Sequence, residues 1–331
     1  MKRRRNKRRK SRRFSLIKFL LIIIIIFGVI LIKNSKQNSN KDQIEDKEMI
    51  SDNNELKQEE IIETAVEEEK TSKEDENINL LNNLKNTEPS FGKLDVPVYK
   101  KGEKNIKIPL IIYHAFQTPV PSDDKYKLFS TEEKFEENVT TLLNAGYTFI
   151  TLEDVYKYNK GNIGLPEKNV TITMDDGWLG DYTEAFKVLK KYNVPATIFI
   201  VEELVGTGGY FTWEQAKEMY DTGLVKIHVH ARKHINATEY GKKKLIEDYN
   251  HTHELIEEKL GAKVQKIMAY PAGKSSPDTI KWLKEAGFEV QVQTKYGTVN
   301  KSNKLDLTGL GRIRGEKATG KSLLNSIENK K

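Results

Sequence analysis

Val170-Thr171-Ile172-Thr173-Met174 runs directly into Asp175-Asp176-Gly177-Trp178. The first five residues, rich in β-branched side chains, read as a buried strand. The acidic pair and the glycine end it. Gly177 lets the backbone turn sharply, so two adjacent carboxylates can point to different tasks, one ligating a metal and the other left free as a base. An Asp-Asp-Gly sequence also suits a plain turn or a helix N-cap, so the weight of this stretch depends on what surrounds it.

Outward from it, short β-rich runs alternate with helical patterns. Further strands are predicted at 108–113, 147–151, 196–201, 225–230, 266–270 and 288–293, with a weaker one near 310–313. Ser130-Thr131-Glu132-Glu133 reads as a capping box opening a helix over 131–144, and Thr212-Trp213-Glu214-Gln215 as another opening a helix to Tyr220. Pro277 suits a first helical turn, and Gly287 stops the same helix after Ala286. A long helix is predicted over 238–260, ended by Gly261. This alternation predicts an α/β fold, a distorted (β/α) barrel of seven to eight strands, with an open doubly wound sheet as the alternative. Either architecture puts a site at the C-terminal ends of the strands.

The rest of the chain is of different character. The formal net charge of +7 averages unlike segments. Residues 1–13 carry ten Lys or Arg and no acid, and residues 41–78 carry fifteen Asp or Glu against five Lys. The stretch 14–33 is almost wholly apolar and includes Leu20-Leu21-Ile22-Ile23-Ile24-Ile25-Ile26. It is about the length that crosses a bilayer. Lys33-Asn34-Ser35-Lys36-Gln37 after it offers no small-residue cleavage site. The expected organisation is therefore a basic cytoplasmic tail (1–13), a transmembrane signal anchor (14–33), a disordered acidic linker (34–95) and a catalytic domain (96–331). The basic flank keeps the N-terminus in the cytoplasm and places the domain outside a single-pass cell membrane anchor. A short helix within the linker is conceivable at 56–66, but a solvated spacer fits the composition better. The basic run abuts a membrane span and lacks interleaved aromatics, so no nucleic-acid partner is expected.

The chain has no cysteine, which excludes disulfides, thiolate metal sites and a cysteine nucleophile. A metal here takes His, Asp or Glu. Three of the six histidines, His228, His230 and His234, lie within seven residues at the end of the 225–230 strand. His230 and His234 can converge on one ion. His228 shares the strand face of His230 and reads as support or packing beneath it. His251 and His253 fall mid-helix and are expected to face solvent. His114, at the end of the first strand, is a candidate general acid. Tyr270-Pro271-Ala272-Gly273 makes a rigid loop whose backbone N–H groups can face an oxyanion.

Together these motifs resemble the polysaccharide deacetylases, carbohydrate esterase family 4. Thr173-Met174-Asp175-Asp176-Gly177 is similar to the family's first motif, His230-x-x-x-His234 to its second, and Ala269-Tyr270-Pro271-Ala272-Gly273 to the third-motif loop of one branch. That branch, which resembles poly-N-acetylglucosamine deacetylases, also carries an early Tyr-His, here Tyr113-His114. Val194-Pro195-Ala196-Thr197-Ile198-Phe199 follows the strand pattern after the first motif. The resemblance implies one divalent metal, zinc, on Asp176, His230 and His234, with Asp175 as general base and His114 as general acid. It implies a substrate loop at Tyr270, Pro271 and Ala272; His228, Trp178 and Arg312 are this chain's candidates for support around the site. There are departures. Ala231 replaces a bracing Ser or Thr, Ala272 replaces a frequent Tyr, and no late Leu-x-His occurs. The third motif lacks its Arg, for which Arg312 or Arg314 is a substitute. The expected activity is de-N-acetylation of an extracellular N-acetylglucosamine polymer, first the poly-N-acetylglucosamine exopolysaccharide of biofilms, then cell-wall peptidoglycan, then chitin oligomers. A non-catalytic glycan-binding protein on the same fold is the reading from another class.

Overall fold

A computed structural model describes residues 89–92 and 94–329. The basic tail, the membrane span and all but the last residues of the acidic linker lie outside the described residues. Among the described residues no helix is long and apolar enough to cross a membrane.

A nine-stranded sheet organises the domain. Its strands are β1 (Lys107–Tyr113), β2 (Thr148–Ile150), β3 (Asn169–Asp176), β4 (Ala196–Val201), β5 (Val225–Ala231), β6 (Ile267–Ala269), β7 (Val290–Val292), β8 (Val299–Lys301) and β9 (Ile313–Arg314). The helices are α1 (Glu132–Asn144), α2 (Leu152–Asn159), α3 (Phe186–Tyr192), α4 (Trp213–Asp221), α5 (Lys242–Leu260), α6 (Pro277–Glu285) and α7 (Lys321–Glu328). The neighbours β7-β6-β5-β4-β3-β1 are all parallel. β2 pairs with the start of β3. The free edge of β1 takes β8, antiparallel, at its start and β9, parallel, at its end. Leu310 bridges Val292 just before the chain enters β9, so the sheet curls round and closes there through irregular backbone. This is the expected barrel, distorted by the antiparallel β8, which the sequence pattern did not indicate, and by a closing strand reduced to Ile313–Arg314.

Strand alternation divides the core in two. Ile111, Ile172, Ile198, Ile227 and Val229 pack outward against helix residues such as Phe135, Leu189, Met219 and Ile256. Ile108, Leu110, Phe199, Ile267 and Val290 belong to a second cluster on the other face, joined by Leu152, Val155 and Tyr158 of α2. That inner face leads upward along β3 through Thr171 and Thr173 to Asp175, all buried.

Local signals place most helix ends, with adjustments. The Thr212–Gln215 and Ser276–Thr279 boxes form, and Gly261 ends α5 in the left-handed region at φ 66°. At α1 the cap is Thr131, whose side chain accepts from the N–H of Lys134. The predicted box there does not close, because the residue three after the cap is a lysine, which cannot accept a bond from the cap's N–H. The 238–260 helix is shorter than expected. A 3₁₀ turn at Ala237–Glu239 precedes Gly241, and α5 starts at Lys242. Upstream of Val96, Phe91 packs on the inner cluster and the Ser90 N–H donates to Asp154 at 3.1 Å.

Candidate active site

The acidic pair splits as its backbone dictates. Asp175 continues the inner face of β3. Asp176 would point outward by alternation, but it sits at φ 80° and Gly177 at φ 82°, which ends the pleat. The positive φ calls for glycine at 177, and a Cβ there would also press on Ile200 at 3.2 Å and Phe211 at 3.3 Å. The turn brings Asp176 Oδ1 to 3.2 Å from His230 Nε2 and 3.3 Å from His234 Nε2. His234 itself is at φ 53°. Non-glycine residues held in this region cost energy and gather where geometry is functional.

These three donor atoms lie within 4.8 Å of one another. Asp176 Oδ1 is buried yet makes no hydrogen bond of good geometry. The ring nitrogen Nδ1 of His230 lies 3.0 Å from the carbonyl of Ala269. A proton on Nδ1 donated there leaves the Nε2 lone pair facing Asp176 and His234. Trp178 Nε1 donates to the other oxygen of Asp176 at 3.0 Å, and its ring stacks on Tyr210 at 4.7 Å. One oxygen and two imidazole nitrogens, converging and otherwise unengaged, fit a zinc-like divalent ion. Burial pushes the Asp176 carboxyl up, but the imidazoles of His230 and His234 beside it outweigh that and hold it well below the usual range. Burial pulls the His230 imidazole down, while Asp175 and Asp176 together leave it raised.

Asp175 is 1 % exposed and fully engaged. Arg312, itself buried, grips it with two bonds of 2.7 Å, NH1 to Oδ1 and NH2 to Oδ2. The same guanidinium donates to Thr173 Oγ1 and to the carbonyl of Gln293, each at 3.2 Å. Burial pushes the Asp175 carboxyl up, but Arg312, with His230, outweighs it and leaves it below the usual range. Of the two arginines proposed for the missing third-motif partner, Arg312 is the one on Asp175.

His114 stands at the mouth with Nδ1 3.2 Å from Glu316 Oε1. Glu316, buried, also takes Arg314 Nε at 2.7 Å. Its segment is held from behind. Asn138 donates to the carbonyls of Gly315 and Ala318 and accepts from the N–H of Gly320, and Lys134 Nζ donates to the carbonyl of Glu316. His114, Asp175, Asp176, His230, His234 and Ala272 line one cleft of about 640 Å³.

Other expected residues lie elsewhere. The Tyr270 side chain is in the outer core, with its hydroxyl on Gln291 Oε1 at 2.5 Å, because it lies on the outward side of the sheet. Only its loop reaches the cleft, where Ala272 adopts φ 51° and Pro271 is buried in a 3₁₀ turn. His228 is buried, with Nε2 3.4 Å from Glu153 Oε1. His251 is half exposed and 3.1 Å from Glu202. His253 does not face solvent: it lies one turn after the buried Tyr249 on the core face of α5, 3.4 Å from Glu257 and against the edge of Phe288. Glu316 was not anticipated. It lies in the 3₁₀ turn Gly315–Lys317 just past β9, where no local pattern marks it as the partner of His114.

Residues 162–291 match the family described as Polysaccharide deacetylase. Poly-β-1,6-N-acetyl-D-glucosamine N-deacetylase of Staphylococcus aureus (strain MRSA252) is 31% identical over 180 residues, which are 50% of this chain and 59% of that protein. YxkH of Bacillus subtilis (strain 168), assigned to the polysaccharide deacetylases, is 27% identical over 220 residues, 66% of this chain and 75% of its own. Among solved structures, IcaB from Ammonifex degensii is 27% identical with a TM-score of 0.57, covering 67% of this chain and 96% of that one. The Streptococcus pyogenes deacetylase PplD, solved with acetate, shares the fold at a TM-score of 0.61 and 24% identity, over 68% of this chain and 99% of that one. The match thus spans a little over half of the staphylococcal enzymes' length. On these grounds the chain carries a polysaccharide deacetylase domain, the hydrolase domain of carbohydrate esterase family 4.

Proposed function

We propose that the domain removes N-acetyl groups from an extracellular N-acetylglucosamine polymer, with poly-β-1,6-N-acetylglucosamine as first substrate and a divalent metal, zinc, as cofactor. The observation that carries this reading is the meeting, in one cleft, of an Arg-held carboxylate (Asp175), a Glu-held imidazole (His114) and the converging donors of Asp176, His230 and His234. The staphylococcal relatives, named for that polymer, supply the choice of substrate.

When bound, a divalent ion at Asp176, His230 and His234 would polarise the acetamide carbonyl and acidify the attacking water. Asp175, kept ionised by Arg312, accepts the water proton as the new C–O bond forms. The Ala272 loop, in the cleft wall, presents its backbone N–H as a donor to the developing oxyanion. His114, its Nδ1–H held on Glu316, delivers a proton from Nε2 to the leaving nitrogen as the C–N bond breaks. Acetate and a glucosamine amine result.

The apolar run at 14–33 and its basic flank support a membrane anchor that keeps the domain outside the cell. Acetate release from β-1,6-linked N-acetylglucosamine oligomers, run beside peptidoglycan, tests the assignment. Release from the first supports it. Release from peptidoglycan alone makes the protein a cell-wall modifier, and release from neither, with metal bound, leaves a glycan-binding role on the same fold.

A further inference from the structure

The segment 312–317 does more than hold the acid and the base. Arg312 faces Asp175 and Glu316 faces His114; Arg314, between them, faces both Glu316 and the rim of the cleft. Its NH2 donates to the carbonyl of Lys127 at 2.7 Å, and both terminal nitrogens lie 3.5 Å from the carbonyl of Tyr126. Its guanidinium lies 4.9 Å from the centre of the Tyr296 ring. Lys127 is at φ 52°, a strained position that sets its carbonyl toward Arg314. The loop carrying Tyr126 and the loop carrying Tyr296 are distant in sequence, and this one side chain ties them together.

Both tyrosines line the cleft, and both are exposed, Tyr126 at 67% and Tyr296 at 52%. The other large aromatics beside the site, Phe129, Trp178 and Tyr210, pack on one another. Exposed aromatic rings cost solvation and contribute nothing to the core, but they bind an apolar face well with little loss of side-chain freedom. A pyranose ring offers such a face, edged by hydroxyls that Lys125 and Lys317, which also line the cleft, can reach.

Resting on the deacetylase reading above, we propose that Tyr126 and Tyr296 form a stacking rim for sugar units neighbouring the one that is deacetylated, and that Arg314 is the positioning residue that builds this rim. The ligand class is an extended chain of N-acetylhexosamine units rather than a single sugar. Because Arg314 also touches Glu316, an ordered rim and a correctly held His114 share one support.

The test is binding, in the zinc-loaded full chain carrying Asp175→Asn so that nothing is turned over. Affinities for a β-1,6-linked N-acetylglucosamine pentamer and for the monosaccharide are measured by calorimetry. The pentamer should bind more tightly than the monosaccharide. Adding Tyr126→Ala and Tyr296→Ala should reduce the pentamer-to-monosaccharide affinity ratio by about tenfold or more, the scale of a well-placed aromatic contact. Arg314→Lys, which keeps the charge beside Glu316 but loses the fork that spans both loops, should reduce the ratio similarly. A ratio unchanged by the tyrosine pair, or no preference for the pentamer at the outset, overturns the rim. Failure of the deacetylase reading shows separately, as absence of acetate release by the protein with Asp175 intact whatever the affinities.

Discussion

The end of β3 and the segment from Arg312 to Lys317 deliver the two halves of one cleft by different means. The first presents Asp175 and Asp176 side by side, aimed apart by a left-handed turn at Asp176 and Gly177. The second places Arg312, Arg314 and Glu316 along β9, its approach and the 3₁₀ turn Gly315–Lys317 that follows, each on a different partner in the cleft wall. In the proposed reaction the β3 residues serve as ligand and base, while the closing segment holds Asp175 through Arg312 and His114 through Glu316. Gly315 allows this segment its course, since a Cβ there would lie 2.2 Å from the Tyr113 ring. The contrast teaches that an acidic pair becomes a ligand and a base only when something distant in sequence tells them apart. Here that is Arg312, which grips Asp175 and leaves Asp176 to the histidines.

Breaking the β3 half should have the largest effect. Asp176→Ala removes one of three converging donors, so bound zinc after gel filtration should fall to background and acetate release by more than about a thousandfold. Equimolar zinc in that variant would show that the donor set lies elsewhere. Breaking the closing half at Arg312 should act on both stability and rate. Arg312→Leu leaves Asp175 buried and uncompensated, at a cost of about 3–5 kcal/mol in urea unfolding. Arg312→Lys should recover part of that stability but lose the two-point grip. Glu316→Gln should leave zinc content unchanged and lower kcat by about 10–100-fold, because His114 loses the carboxylate that orients it. An unaltered kcat would make Glu316 a support for the loop alone.

The smallest effect concerns a carboxylate held by partners but remote from both halves. Burial raises the Glu257 carboxyl, yet hydrogen bonds from His253, Lys263 and the Val264 N–H outweigh it and bring it to about 2. A depressed carboxyl stabilises the fold above its ordinary value, and that stability is lost as pH falls from about 4.5 toward 2. Glu257→Gln should therefore flatten the fall of Tm across that acid window and leave acetate release intact. A steeper acid fall would reverse the sign of this assignment.

The two halves were unequally legible in the sequence. The alternation of strands and helices gave the barrel, and chemistry-bearing residues at strand ends gave the β3 half, His114 and the His230–His234 pair, because these properties are local. The closure of the barrel was less visible, since Leu310 joins it through a single bridge and β8 lies antiparallel on the edge of β1. Arg312 could be named as one of two substitutes for the missing arginine, but only the fold brings it within 2.7 Å of Asp175. Glu316 and the two rim tyrosines depend on loop placement, which no periodicity encodes. His253 was misjudged because the helix face that meets the sheet is set by packing partners such as Phe288.

The most direct test of the account is Asp175→Asn in the zinc-loaded full chain, with metal content and acetate release from N-acetylglucosamine oligomers measured on the same sample. The account predicts zinc retained at one per chain and acetate release reduced by about a thousandfold or more, because a ligand set of Asp176, His230 and His234 survives while the base is gone. Full turnover with zinc retained, or loss of zinc together with activity, would contradict the division of labour between the two aspartates.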